Sequence, residues 1–228
     1  MAIAEITKRL PPPAEPCADS ACRISHSAVA EGTVRRDHVT LEVVLYASVQ
    51  GDGGGHSTRV QISLAEFRGS RLVRTQVHFT EAGTYGRPFE AGERYVIVPL
   101  NDSEYAVVIE DHDLRFGEAT DFLSVFIVAK DGAVLGYAAD AGVDTSDWSP
   151  GPSTNWRTAW TLIDVPGGRP ELFLARRGVN EGRVVDAVER RRWNGTGFIP
   201  VPLASPEGRP GAAEVAASGA AAPPDKQD

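Results

Sequence analysis

WRTAWTLIDVPGGRPELFLARRGVNEGRVVDAVERRRWNGTGFIPV, residues 156–201, reads as four short strands joined by turns. Pro166-Gly167-Gly168 separates the first two apolar-rich runs and Asn180-Glu181-Gly182 the next two. Asn194-Gly195 is the dipeptide of a tight hairpin, because both residues tolerate the positive φ that such a turn requires. The rest of the chain repeats this style. Residues 38–49 (HVTLEVVLYASV) are dense in β-branched side chains and run into the flexible glycine loop 51–55. In residues 59–67, Val60, Ile62 and Leu64 alternate with Arg59, Gln61 and Ser63, the period of a strand with one face buried. Gly69-Ser70 then turns the chain into residues 72–79.

Two further hairpins are predicted, residues 95–100 with 105–109 around Asn101-Asp102-Ser103, and residues 122–129 with 134–137 around Lys130-Asp131-Gly132. The expected fold is all-β: antiparallel meanders of about twelve strands, as a β-sandwich or an open propeller-like arrangement. Gly69, Gly132 and Gly195 fall in three of the turns at intervals of 63 residues. Only five identities survive when residues 34–96 are laid on 97–159, so the spacing has little sequence behind it.

Composition bounds the rest. Residues 1–16 end in the stiff, polyproline-type run PPPAEP and read as a spacer. Residues 203–228, rich in Ala, Gly and Pro, lack the apolar side chains to fold and read as a disordered tail. A single all-β domain is expected over residues 17–202. A net charge of −8 argues against nucleic acid as a partner. The one basic run, Arg190-Arg191-Arg192, is expected to be a solvated strand edge that discourages edge-to-edge pairing. No run of apolar residues is long enough to span a membrane as a helix, and residues 1–10 show no signal-peptide core.

Cys17 and Cys22 are the only cysteines. Their C-x4-C spacing fits a small disulfide loop, ahead of two free thiols or a metal pair short of ligands. A disulfide implies an oxidising compartment, so an extracytoplasmic location, periplasmic or secreted, is expected. Lys8, Lys130 and Lys226 are the only lysines among 23 basic residues, a codon usage typical of GC-rich bacteria.

No catalytic or metal motif is present. The glycine loop before His56 lacks the Lys-Ser/Thr of a phosphate-binding loop, and no Gly-x-Ser-x-Gly elbow occurs. The densest acidic region runs from Asp102 through Glu104, Glu110, Asp111, Asp113 and Glu118 to Asp121, and is expected to form solvated hairpin ends. His112 lies between Asp111 and Asp113, but strand alternation puts those carboxylates on the opposite face. The longest expected connection, residues 138–155, holds Asp140, Asp144 and Asp147 as candidate ligand-binding carboxylates. Calcium is the cation such a set would hold. Trp148, beside Ser149-Pro150, is the candidate aromatic contact for a ligand or sugar ring. Trp156 and Trp160, four apart in a strand, share a face and are expected in the core.

Residues 164–174 (DVPGGRPELFL), followed by residues 192–198 (RWNGTGF), resemble the repeat unit of bacterial extracytoplasmic FG-GAP-type (VCBS-like) β-proteins. In that family an Asp-rich turn precedes a Pro-Glu-aliphatic strand, and a Trp-Asn-Gly hairpin closes the unit. The family's calcium-binding units alternate several acidic or amide residues in the turn, whereas here Asp164 stands alone. The resemblance implies a β-module at the cell envelope. The expected function is non-enzymatic, binding a protein or glycan ligand or serving as a structural module. The alternatives are a hydrolytic enzyme using carboxylates with His112 or His56, and a calcium-stabilised interaction module.

Overall fold

The computed structural model describes residues 24–50, 60–82, 94–115, 118–145, 152–166 and 168–203. Twelve antiparallel strands fill them: β1 (Ile24–Arg36), β2 (Val39–Gln50), β3 (Val60–Arg68), β4 (Arg71–Ala82), β5 (Arg94–Pro99) and β6 (Tyr105–Arg115), then β7 (Glu118–Ala129), β8 (Gly132–Asp144), β9 (Asn155–Ile163), β10 (Glu171–Asn180), β11 (Arg183–Trp193) and β12 (Phe198–Val201). No helix occurs among the described residues, so none is long and apolar enough to cross a membrane. Cys17, Cys22, His56, Asp147 and Trp148 lie outside the described residues.

Within each sheet every strand pairs with its neighbours in sequence, and among consecutive strands only β4 and β5 do not pair. One sheet is β1-β2-β3-β4, and the other runs in order from β5 to β12. The second sheet is not continuous in stiffness. Between β8 and β9 only Gly142↔Arg157, Val143↔Trp156 and Asp144↔Asn155 are in register, and beyond them the strands part. β9–β12 thereby fold back over β5–β8. The result is a stack of three four-stranded meanders with two cores between them and a third, smaller apolar cluster, Val44, Tyr46, Ala65 and Phe67, on the other face of β2 and β3, so β3 is buried on both faces rather than the one its alternation suggested.

Alternation explains how both cores are filled. In β6, Tyr105, Val107 and Ile109 point at β1–β4 and join Leu45, Ile62 and Leu64. Ala106 and Val108 point the other way, toward Leu172, Leu174, Trp193 and Phe198. The middle layer is buried on both faces, which is why YAVVI and FLSVFIVA read as near-continuous apolar runs rather than alternating ones. Fully burying each large side chain contributes about 1.5–3 kcal/mol.

A buried ionic cluster staples the first two layers. Glu66, 1% exposed, accepts two hydrogen bonds from Arg36 at 2.8 Å each, one from Arg74 at 2.7 Å and one from the Tyr105 hydroxyl at 2.7 Å. Arg74 also donates to the carbonyls of Ala129 and Lys130 in the β7–β8 turn. Burial, together with the Glu66 charge, pushes the Tyr105 phenol far up, so it stays a donor. For Arg36 burial works against the charge, yet the Glu66 hydrogen bond and charge prevail and its pKa is raised.

Several expectations need correction. The Arg190–Arg192 run is not a solvated edge, because β11 lies inside its sheet, between β10 and β12. Arg190 and Arg192 clamp the buried Glu171, at 2.8–2.9 Å, while Arg191 lies over the Tyr137 ring and donates to the Phe198 carbonyl. The expected loop 138–155 is shorter than its composition suggested, since β8 continues through Asp144 and β9 begins at Asn155. Backbone pairing with β7 carries that small-residue stretch as strand. Turns occur at the expected places, though the Asn194-Gly195 hairpin is a four-residue connection with positive φ at Gly195 and not at Asn194; Asn101 and Asn194 each accept from backbone N–H groups two and three residues ahead. Gly69, Gly132 and Gly195 all have positive φ and fall where the third strand of each layer turns into the fourth, Gly132 as the first residue of β8.

Candidate functional site

Where β8 and β9 part, the sheet opens into a cavity of about 250 Å³. Its floor follows from register. His112 of β6 faces Asp121 of β7, Asp121 faces Gly142 of β8, and Gly142 faces Arg157 of β9, one row across four strands. A bulge breaks the β7–β8 register between Asp121 and Phe122, leaving Ala141 as the extra residue on the cavity wall. Bulges re-aim side chains in this way.

His112 Nδ1 lies 2.7 Å from Asp121 Oδ1, both groups being partly exposed. Gly142 makes room for that carboxylate, for a Cβ there would sit 2.7 Å from Asp121 Oδ2 and 3.1 Å from the Trp156 carbonyl oxygen. On the opposite wall the Trp160 indole N–H donates to Glu110, and Arg94 lies over the Trp160 ring, its guanidinium carbon 5.9 Å from the ring centroid. This contact between β9 and β6 crosses the fold of the curled sheet. Phe122, Arg157 and Thr158 complete the lining, and the buried Thr158 hydroxyl has no protein partner. The walls therefore combine two aromatic rings with acceptors on Glu110 and Asp121 and donors on Arg157 and Thr158.

The acidic region expected as solvated ends is thus divided. Asp102 stays at an exposed turn beside Arg35 and His38, while Glu110 and Asp121 turn into the cavity. Asp111 hydrogen-bonds the backbone N–H of His112 at 2.8 Å, and the carboxylate at the imidazole is the cross-strand Asp121. Asp140 and Asp144 are both on β8, four residues apart, or about 13 Å in an extended strand. That separation does not bring them together, and Asp144 accepts from the Asn155 side-chain amide. Among the described residues no group of three His, Cys, Asp or Glu side chains is placed to hold a metal ion.

Trp156 is buried as expected, with Arg176 over its ring, whereas Trp160 packs at the core's margin and also lines the cavity. Reading the sequence did not find Arg157, Thr158, Gly142 or the Glu110–Trp160 bond. The His112–Asp121 pair had a signal: a two-residue connection after Arg115 fixes the register that sets residue 112 opposite 121. No known protein family, curated protein or solved structure is detectably similar to the chain.

Proposed function

We propose that this chain is a non-enzymatic binding module of the bacterial cell envelope that takes a small hydroxylated ligand, of glycan type, in the cavity at the β8–β9 split. The observation that carries the reading is the cavity lining, with Trp160 and Phe122 beside alternating acceptors and donors. A sugar ring offers C–H groups to aromatic faces and hydroxyls that need both kinds of hydrogen-bond partner. The partnerless Thr158 hydroxyl supports the same reading, because a buried polar group calls for a bond. Glu110 and Asp121 are engaged by Trp160 and His112, which suits fixed recognition groups. The envelope assignment rests on the Cys17/Cys22 pair, the Pro-rich spacer and the likeness of residues 164–198 to the FG-GAP-type unit.

The test is a glycan array on the full chain, followed by titration of hits against Trp fluorescence. Gly142→Ala, which pushes Asp121 aside, and Thr158→Val should each weaken binding about tenfold, the loss of one good hydrogen bond to a partly buried group. A chain that binds no glycan, or binds equally well in both variants, refutes the reading. A second reading, hydrolysis, is favoured by one observation: His112 is held by Asp121 inside the cavity, the arrangement that orients an imidazole as a base. Release of new reducing ends from a bound glycan, lost in His112→Gln, would move the assignment to it. Thiol titration with and without reductant tests the compartment, since two reactive thiols in the unreduced protein remove the disulfide argument.

A further inference from the structure

The charges around the cavity do not balance. Its lining carries three carboxylates, Glu110, Asp111 and Asp121, against the Arg157 guanidinium. Arg94, beyond the Trp160 ring and 3.8 Å from Glu110, is 63% exposed, and counting it still leaves an excess of negative charge with histidine taken as neutral. The surrounding layer deepens that excess, since residues 94–144 hold three basic residues against ten acidic ones. A cleft lined by one sign of charge draws in ligands of the other. Register shows which atoms meet such a ligand. Glu110 pairs with Leu123 and His112 with Asp121, so Glu110 and Asp121 are diagonal neighbours on one face of β6 and β7, about 7 Å apart. Each carboxylate is anchored through one oxygen: Glu110 Oε1 accepts from the Trp160 indole, and Asp121 Oδ1 meets His112. The second oxygens, Glu110 Oε2 and Asp121 Oδ2, accept no hydrogen bond from a described residue and are not sealed from solvent.

We propose that the ligand is an amino sugar whose free ammonium group is received by Glu110 and Asp121, an assignment that rests on the glycan reading of the cavity. A metal ion is not the cation these groups suit, for among the described residues no group of three His, Cys, Asp or Glu side chains is placed to hold one. An ammonium group donates three hydrogen bonds and is attracted to aromatic faces, and Trp160 and Phe122 stand beside the two carboxylates. The fold already uses this chemistry once, where the Arg94 guanidinium lies over Trp160, 5.9 Å from the ring centroid, next to Glu110. An acidic sugar could pair with Arg157 but would also face three carboxylates. The cavity, about 250 Å³, is smaller than the roughly 300–1,000 Å³ of pockets for drug-sized ligands and so takes a single ring. The buried Thr158 hydroxyl, without a protein partner, is left for a ring hydroxyl.

The test is titration of the full chain with glucosamine, N-acetylglucosamine and glucuronate, followed by Trp fluorescence at about pH 7, where an amine of pKa about 7.7–8.0 is mostly charged. Glucosamine should bind about tenfold more tightly than N-acetylglucosamine, which keeps the ring and loses the charge, and added salt should shrink that preference. Asp121→Asn and Glu110→Gln each remove a charge while keeping shape and an acceptor, and each should cut the preference to about threefold or less. Melting curves of both variants keep folding defects apart from binding defects. N-acetylglucosamine or glucuronate binding as tightly as glucosamine overturns the ammonium assignment and leaves the glycan reading in place. A preference that neither variant lowers overturns it in the same way. Ethanolamine binding as tightly as glucosamine shows that the ring adds nothing and overturns the amino sugar. Failure of every sugar to bind removes the glycan reading and this proposal with it.

Discussion

Glu66→Ala is the sharpest probe of how the stack is held. The substitution removes four hydrogen bonds at once, two from Arg36 and one each from Arg74 and Tyr105. It leaves guanidinium groups only 11% and 21% exposed without their carboxylate. Breaking a buried pair by deleting one partner costs about 3–5 kcal/mol, chiefly because the remaining charge stays desolvated. Native domains have a total stability of about 5–15 kcal/mol, so the variant should fold only marginally. With a urea dependence of about 2 kcal/mol per molar, the midpoint should fall by about 2 M. Tyr105→Phe alone should cost about 1.5–3 kcal/mol, the value of a hydrogen bond to a charged acceptor. Because that bond ends on Glu66, the double variant should be no worse than Glu66→Ala within about 0.5 kcal/mol. A Glu66→Ala loss below about 1 kcal/mol, or strict additivity with Tyr105→Phe, would refute the stapling role.

Two other perturbations follow from the third layer. Gly178 has φ of 140°, and a Cβ there would stand 2.2 Å from the Asn155 carbonyl oxygen and 2.5 Å from the Trp156 Cα. Gly178→Ala should therefore cost about 3 kcal/mol and lower the melting temperature by about 10 °C, and a shift under about 2 °C would show that β10 does not pass β9 so closely. Glu171 titrates below its ordinary value of 4.5, held down first by the Arg190 hydrogen bonds and further by Arg192 against the opposing effect of burial. A depressed carboxyl stabilises the fold above the unfolded-state value and loses that contribution as pH falls through the folded-state value. The melting-temperature difference between wild type and Glu171→Gln should thus be constant near neutrality and shrink below about pH 4.5; a difference that widens there would contradict the clamp.

Strands with a strong apolar period or an Asn-Gly turn were legible in the sequence, and those without were not. β2, β3 and the four strands of the last layer announced themselves through β-branched alternation and their hairpin dipeptides. β1, ISHSAVAEGTVRR, has few large apolar residues and is a strand because all of β2 pairs with it. The second half of β8, with its alanines, glycines and aspartates, has the composition of a loop and the backbone of a strand. The cavity was hidden for a related reason. Its residues come from four strands, and what gathers them is cross-strand register and the parting of β8 from β9, neither of which any local pattern records. His112 was judged by its sequence neighbours, whereas an antiparallel sheet gives a side chain its partners from the next strand.

The sequential order of the strands within each sheet also has a kinetic meaning. Folding rates fall as contacting residues lie farther apart along the chain, and β-sandwiches with long crossovers are slow for that reason. Here every ladder joins consecutive strands, so within each sheet a hairpin can form and then extend the one before it without closing a long loop first. Only the face-to-face contacts between layers are distant. The ordering of events is then hairpins before layers, with the last layer, joined to the middle one through three register pairs, free to settle after the others have formed.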